Sequence, residues 1–237
     1  MVEHSSPDWQ RLEDYAFADS ADAGRWAWEF LRRNPGYRRD HARFMQTWRA
    51  LEADYGSPPN RDFLRWKQDP RAWVPAEAAS GGECRVDEDK VLIECALGAK
   101  YGFYKFPPDP ADDDPDIEWR PLSETPPFED CEGIEHGITL CFDPALPLRP
   151  QLEAAGRRLA ARRASLRRQG LRMKRVRDRR DRWLACLRLL DAETAGASDE
   201  AIASVLFDGD AAALADCRRE AHALRDGGYR EIAFYPE

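Results

Sequence analysis

The sequence has few histidines and none of the motifs on which common enzymes depend. Histidine occurs four times in 237 residues, at the widely separated positions 4, 41, 136 and 222. The chain contains no GxSxG, HExxH or GxxxxGK[ST] motif, which mark serine hydrolases, zinc proteases and phosphate-binding loops. These absences predict a protein without catalytic activity.

Cysteine spacing and hydropathy argue against two further classes. The six cysteines include no CxxC pair and no histidine at zinc-finger spacing, so they are expected to be reduced and mostly buried, without a zinc site or a disulfide framework. No apolar run approaches the roughly 18 residues of a membrane span, and the N-terminal segment does not resemble a signal peptide. We therefore expect a soluble cytoplasmic protein that needs no metal or cofactor.

The net charge of −8 hides a separation of charge along the chain. Residues 149–182 contain fourteen Arg or Lys and three acidic residues, a net charge of +11. Residues 109–143 contain twelve acidic residues and one Arg, a net charge of −11. The dense basic segment favours contact with nucleic acid phosphates.

The acidic loop at 109–116 lacks the ligand spacing of a calcium site, and we expect it to be a solvated surface that docks on the basic segment when DNA is absent.

Three parts and an α+β fold class are predicted. Residues 1–74 form an aromatic-rich helical domain, residues 75–150 a strand-rich acidic region, and residues 151–237 a basic helix followed by a three-helix module. Four apolar segments predict a small antiparallel sheet in the middle part. They are residues 90–97, 101–106, 117–120 and 138–142.

A helical hairpin is predicted in the first part. Asp22 is a favourable N-cap for one helix, and Asn34-Pro35-Gly36 ends it. Aromatic and apolar residues spaced three or four apart predict a second helix that stops at Gly56. They are Tyr37, His41, Phe44, Trp48, Leu51 and Tyr55. The aromatics could form a stacking platform for bases, but their helical spacing favours a packed core.

The basic helix at 151–169 carries Leu152, Leu159 and Leu166 at seven-residue intervals. This narrow stripe, interrupted by Arg162, leaves three interpretations open: a weak dimer seam, a helix resting on the sheet, or an arm that follows DNA phosphates.

The following module is typical of a helix-turn-helix, with any other three-helix bundle as the alternative. Its first helix ends near Asp191, and Ser198 begins a second helix that buries Ala201, Ile202, Val205 and Leu206. The third helix precedes Gly227-Gly228. The cations expected to contact the DNA groove or its phosphates are Arg218, Arg219, His222 and Arg225. Those expected to hold the backbone are Arg172, Lys174, Arg175, Arg177, Arg179 and Arg180.

Two stretches resemble known families. The segment LRLLDAETAGASDEAIASVLFDGD, with LRDGGYREI after it, resembles the DUF2285 domain, and WAWEFLRRNPGYRRD resembles the N-terminal transcriptional-regulator-like domain (DUF6499) often joined to it. The resemblance implies a helix-turn-helix variant from a proteobacterial conjugative element, either in an activator of excision and transfer or, as a single domain, in its antiactivator. Because this chain carries the N-terminal domain, it resembles the activator arrangement more than the single-domain antiactivator. Asp216 and Glu220 depart from the arginine-rich third helix expected of the family, which leaves two alternatives: the basic segment supplies most of the DNA affinity, or this protein chiefly binds another protein.

The sequence therefore predicts a DNA-binding transcriptional regulator whose partner is double-stranded DNA, with a homodimer as one arrangement. The alternative is a protein-interaction module that binds another DUF2285 protein or a transcription activator through the same helical face.

Overall fold

The computed structural model describes residues 7–79, 85–104, 106–120, 138, 140–170 and 175–235. Its contacts divide the chain into two compact units, residues 1–120 with 176–237 and residues 121–175. The helices of the first unit are α1 (Ala23–Leu31), α2 (Pro35–Tyr55), α3 (Phe63–Trp66), α4 (Ile93–Tyr101), α6 (Arg180–Thr194), α7 (Asp199–Leu206), α8 (Ala211–Ala223) and α9 (Tyr229–Ile232). Its strands are β1 (Trp73–Pro75), β2 (Arg85–Asp87) and β3 (Lys90–Leu92), and the second unit contributes α5 (Leu148–Arg168).

The α+β prediction and the N-terminal helical hairpin are confirmed. The Asp22 carboxylate accepts a hydrogen bond from the Arg25 N–H at the start of α1, and the Asn34 amide oxygen accepts one from the Tyr37 N–H at the start of α2. The predicted stripe along α2 is buried from Tyr37 to Leu51. The aromatic residues are therefore core, as their spacing indicated.

The small antiparallel sheet is confirmed, with strand order β1-β3-β2, but most of its predicted strands are wrong. Residues 90–92 form β3, and the chain then turns into α4, which ends at Gly102 with φ of +85°. Short apolar runs do not distinguish a strand from a buried helix, and Gly98 lets α4 approach the Phe103 carbonyl closely. The described residues of the segments at 101–106 and 117–120 form an isolated bridge between Phe103 and Trp119. The described residues of 138–142 have no regular structure.

A large core joins the N-terminal helices to the C-terminal helices. The rings of Trp26 on α1 and Trp183 on α6 lie 5.5 Å apart, and both side chains are buried. The Tyr229 hydroxyl donates to the Tyr101 carbonyl at 2.8 Å. Because of this packing, the two compact units do not follow the predicted domain boundaries at residues 74 and 150. Those boundaries stay a prediction.

The three-helix C-terminal module is confirmed. Gly196 adopts φ of +74° in the turn before α7, and the Ser198 hydroxyl accepts a hydrogen bond from the Ala201 N–H. Ile202 is fully buried, but Ala201 and Val205, predicted to face inward, are exposed. Helix α7 has only eight residues, and Ala203 rather than Ala201 completes its buried face.

The prediction that every cysteine is reduced is wrong for Cys95, which is disulfide-bonded. Spacing in the sequence does not show which thiols the fold brings together. Cys186 and Cys217 are free and fully buried between α6 and α8, with their Sγ atoms 3.5 Å apart.

The second unit, taken by itself, contains the basic helix α5. None of its residues is buried, and Leu152 and Leu159 of the predicted leucine stripe are 60% and 47% exposed. The Gln151 side chain fixes the start of the helix by accepting a hydrogen bond from the Asp143 N–H at 2.8 Å. Among the described residues, no helix combines the length and apolar character needed to cross a membrane.

Candidate nucleic-acid interface

Two of the predicted groove-contacting residues face the neighbouring helices. Arg218 donates through Nε to Glu193 at 2.7 Å and through its terminal nitrogens to Asp199 at 2.6 and 3.0 Å. His222 Nε2 lies 2.7 Å from the other Glu193 carboxylate oxygen. The hydrogen bonds that Arg218 donates to Asp199 and Glu193 raise the pKa of Arg218, and they lower the pKa of Asp199. These side chains fasten α8 to α6 and α7.

The other two predicted residues of this set differ in exposure. Arg225 forms a two-point ion pair with the adjacent Asp226, and its side chain is 20% exposed. Arg219 is 75% exposed and pairs with Asp216 at 2.6 Å. The structure therefore brings Arg218 and His222 together at Glu193, while Arg219 stands apart as the most exposed cation of the four.

The exposed face of α8 consists mostly of small side chains and has almost no net charge. Its exposed alanines are 211, 212, 215 and 223. Asp216 and Arg219 lie on the same exposed face and neutralise each other. A helix that reads bases presents several donors to the groove, and α8 offers one guanidinium that is already paired.

The predicted backbone-holding cations extend from residue 172 to Arg180, the first residue of α6. Arg172 and Lys174 lie outside the described residues. Arg177 is exposed and lies 3.8 Å from Asp178, whereas Arg180 donates to the Asp19 carbonyl at 2.9 Å. Arg175 and Arg179 are half-buried. Arg177 is therefore exposed to solvent, whereas the Arg180 side chain is bound to the Asp19 carbonyl.

Helix α5 carries the densest exposed positive charge in the described part of the chain. Six of its arginines are exposed and form no ion pair with a described residue: 157, 158, 162, 163, 167 and 168. The remaining one, Arg149, pairs with Glu153 at 3.1 Å. The predicted site residues do not include these six arginines. The charge count over residues 149–182 is the sequence signal that could have identified them.

Described residues of the acidic loop contact α1, and the docking of this loop on the basic segment stays a prediction. Asp113 pairs with Arg32 at 3.0 Å and Asp114 with Arg25 at 3.2 Å, so the loop lies against α1. The Trp28 indole N–H also donates to the Asp112 carbonyl at 2.9 Å. These contacts give the loop a defined position on the N-terminal helices.

A buried polar network connects α1 with α6. Arg33 donates to both carboxylate oxygens of Asp191 at 2.8 Å and also contacts Glu29, while the Tyr15 hydroxyl donates to Asp191 at 2.6 Å. Burial alone would lower the pKa of Arg33, but Asp191 and Glu29 raise it. Burial and the neighbouring Asp191 raise the pKa of Tyr15. The network therefore holds a fully charged arginine in the interior.

Residues 8–67 match the family model of the proteobacterial transcriptional regulator-like domain. The match, hereafter the regulator-like domain, supports the predicted N-terminal family and indicates a regulatory role. It spans about a quarter of the chain and does not reach α6 to α9, so the DUF2285 resemblance of that part stays a prediction. No curated protein and no solved structure matches the chain significantly.

The regulator-like description favours a role that is not enzymatic. Within the part of the chain that the structure describes, no group of three or more His, Cys, Asp or Glu side chains is placed to hold a metal ion. The regulator-like domain reaches α6 through Arg33 and Asp191, which joins the matched and unmatched parts of the chain in one core.

Proposed function

We propose that this protein is a DNA-binding transcriptional regulator that contacts the phosphate backbone mainly through α5. The match of the regulator-like domain supports the regulatory part. The six exposed arginines of α5 without an ion pair to any described residue carry the DNA-binding part. The resemblance of the C-terminal segment to DUF2285 extends the proposal to an activator of conjugative-element excision and transfer genes, acting in the cytoplasm of a bacterium.

The geometry of α5 suits sequence-independent contact. Arg157 and Arg168 are separated by eleven residues, or about 16 Å at a rise of 1.5 Å per residue. The six arginines are spread around the helix, so a helix lying along a groove would reach phosphates on both sides. Since the cations of α8 are largely paired with acidic side chains, we expect α8 to add little base reading.

The test is fluorescence anisotropy of a labelled DNA duplex titrated at several salt concentrations. The variant R157Q/R162Q/R168Q removes three exposed α5 charges and keeps good helix formers. The control R39Q/R49Q/R65Q removes three exposed arginines of the regulator-like domain, so both variants have the same net charge.

We expect the logarithm of the wild-type DNA affinity to fall linearly with the logarithm of the salt concentration. Each phosphate contact contributes a slope of about −0.9, so the α5 variant should be shallower by about 2 to 3, with the control unchanged. Equal slopes for the two variants, or no binding at low salt, would reject α5 as the DNA contact.

A second candidate is the protein-interaction role, which the alanine face of α8 favours. Exposed small side chains allow another helix to pack closely, and the face lacks the positive charge that DNA requires. The proposed partner is a second copy of this module. Ala215→Glu should then abolish self-association in sedimentation experiments and leave DNA affinity unchanged, whereas the α5 variant should do the reverse. A wild type that is monomeric at high concentration would reject this candidate.

A further inference from the structure

An open cavity of about 520 Å³ lies between α2, α4 and β1 of the first unit. Its walls are mainly apolar, and its volume is within the range of about 300 to 1,000 Å³ typical of small-molecule sites. The apolar lining residues are Phe44, Trp73, Val74, Ala78, Ile93, Ala96 and Leu97. The cavity therefore has the size and surface to hold a compact apolar group.

Charged side chains at the cavity fall into two classes. Lys100 pairs with Asp40 at 2.6 Å, and Arg71 is engaged by Asp54 at 2.6 Å and Asp69 at 2.7 Å. Arg43 also lines the cavity, is exposed, and forms no ion pair with any described residue. One positive charge is consequently available to a ligand.

Asp40 limits the ligand to a single anionic group. Its carboxylate accepts hydrogen bonds from the Lys100 ammonium and the Tyr101 hydroxyl. Burial alone would raise the pKa of Asp40, but these two donors and the positive charge of Arg43 lower it below its usual value, so the group is ionised at neutral pH. A second anionic group placed near Asp40 would be repelled.

We propose that this cavity binds a small organic anion, with an apolar body of one or two fused rings against Phe44, Trp73 and Leu97 and a carboxylate or sulfonate at Arg43. The inference does not depend on DNA binding. Helix α2 belongs to the regulator-like domain, whereas α4 and β1 lie beyond the matched residues. A ligand in this cavity would contact both the regulator-like domain and the residues beyond it, as an effector of a regulator would.

The first experiment measures binding of 2-naphthoate and of its neutral analogue 2-naphthol to the full chain by isothermal titration calorimetry. We expect 2-naphthoate to bind with a Kd of about 0.01 to 1 mM. Arg43→Gln should weaken 2-naphthoate about fivefold, the effect of one exposed ion pair, and should leave 2-naphthol unchanged. Arg49→Gln, an exposed arginine of the same helix outside the cavity, serves as the matched control.

The second variant fills the cavity. Ala96→Phe adds a ring among the apolar walls and should abolish binding of both compounds, and circular dichroism verifies that it folds. If Ala96→Phe fails to fold, Arg43→Gln against Arg49→Gln still decides the proposal. Absence of binding to the wild type at millimolar concentration, or equal affinities for the wild type and Arg43→Gln, would overturn it.

Discussion

Asp191→Asn should cause a large loss of stability because it breaks the buried network between the regulator-like domain and α6. The substitution keeps the shape of the side chain but removes the charge that two nitrogens of Arg33 contact at 2.8 Å. The Arg33 and Asp191 side chains are only 6% and 9% exposed, so the guanidinium left by the substitution would have little contact with solvent. Breaking such a buried pair costs about 3 to 5 kcal/mol, and since Glu29 still contacts Arg33 we expect about 3 kcal/mol.

Tyr15→Phe provides a second measure of the same network. It removes the hydrogen bond from the Tyr15 hydroxyl to Asp191 without changing the ring, at a cost of about 1.5 kcal/mol. Because the two residues are in contact, the double variant Tyr15→Phe/Asp191→Asn should be less destabilised than the sum of the two single variants, by about 1 kcal/mol.

Urea unfolding followed by circular dichroism measures these free energies. The exposed pair of Arg219 and Asp216, with side chains 75% and 63% exposed, is the control. Arg219→Ala should change the free energy of unfolding by less than about 0.5 kcal/mol. If Asp191→Asn costs no more than Arg219→Ala, the network is not a buried ion pair in solution and the reasoning fails.

Two further predictions concern His41 and α8. Burial lowers the pKa of His41, so the unfolded chain binds the proton more readily and stability is lost as the pH falls below about 6.5. Thermal melts at pH 7.5 and 5.5 should therefore show a larger loss for the wild type than for His41→Gln, and equal losses would contradict the assignment. The Asp210 carboxylate caps α8 by accepting hydrogen bonds from the Ala212 and Ala213 N–H groups at 2.8 and 3.0 Å. Asp210→Ala should cost about 1 kcal/mol in urea unfolding, more than the exposed control Asp216→Ala, and a smaller cost would reject the cap.

The features predicted correctly from the sequence are those that local chemistry determines. Asp22 and Ser198 each cap the helix that they were expected to start, because a short polar side chain satisfies N–H groups only two or three residues away. The stripe along α2 was predictable for the same reason, since its period follows from helix geometry alone.

The errors arise where residues distant in the sequence decide the outcome. Residues 93–97 were assigned to a strand, and the close packing of Gly98 on Phe103 that accompanies the helix is not visible in hydropathy. The cations of α8 were placed on the right helix, but sequence spacing does not reveal that Glu193 and Asp199 lie opposite Arg218. A cationic helix face is therefore weak support for DNA contact until the acidic residues of its neighbours are known.

The boundary of the regulator-like domain at residue 67 is not a boundary of the folded core. Trp26 of this domain packs against Trp183, the Asn34 amide donates to the Arg225 carbonyl, and the buried Arg33 pairs with Asp191 of α6. Residues 8–67 alone would expose this apolar surface and leave Arg33 without its two-point partner. Since α6 to α9 complete that core, a change at the regulator-like domain, such as a ligand beside α2, acts on a structure that is continuous with the C-terminal helices.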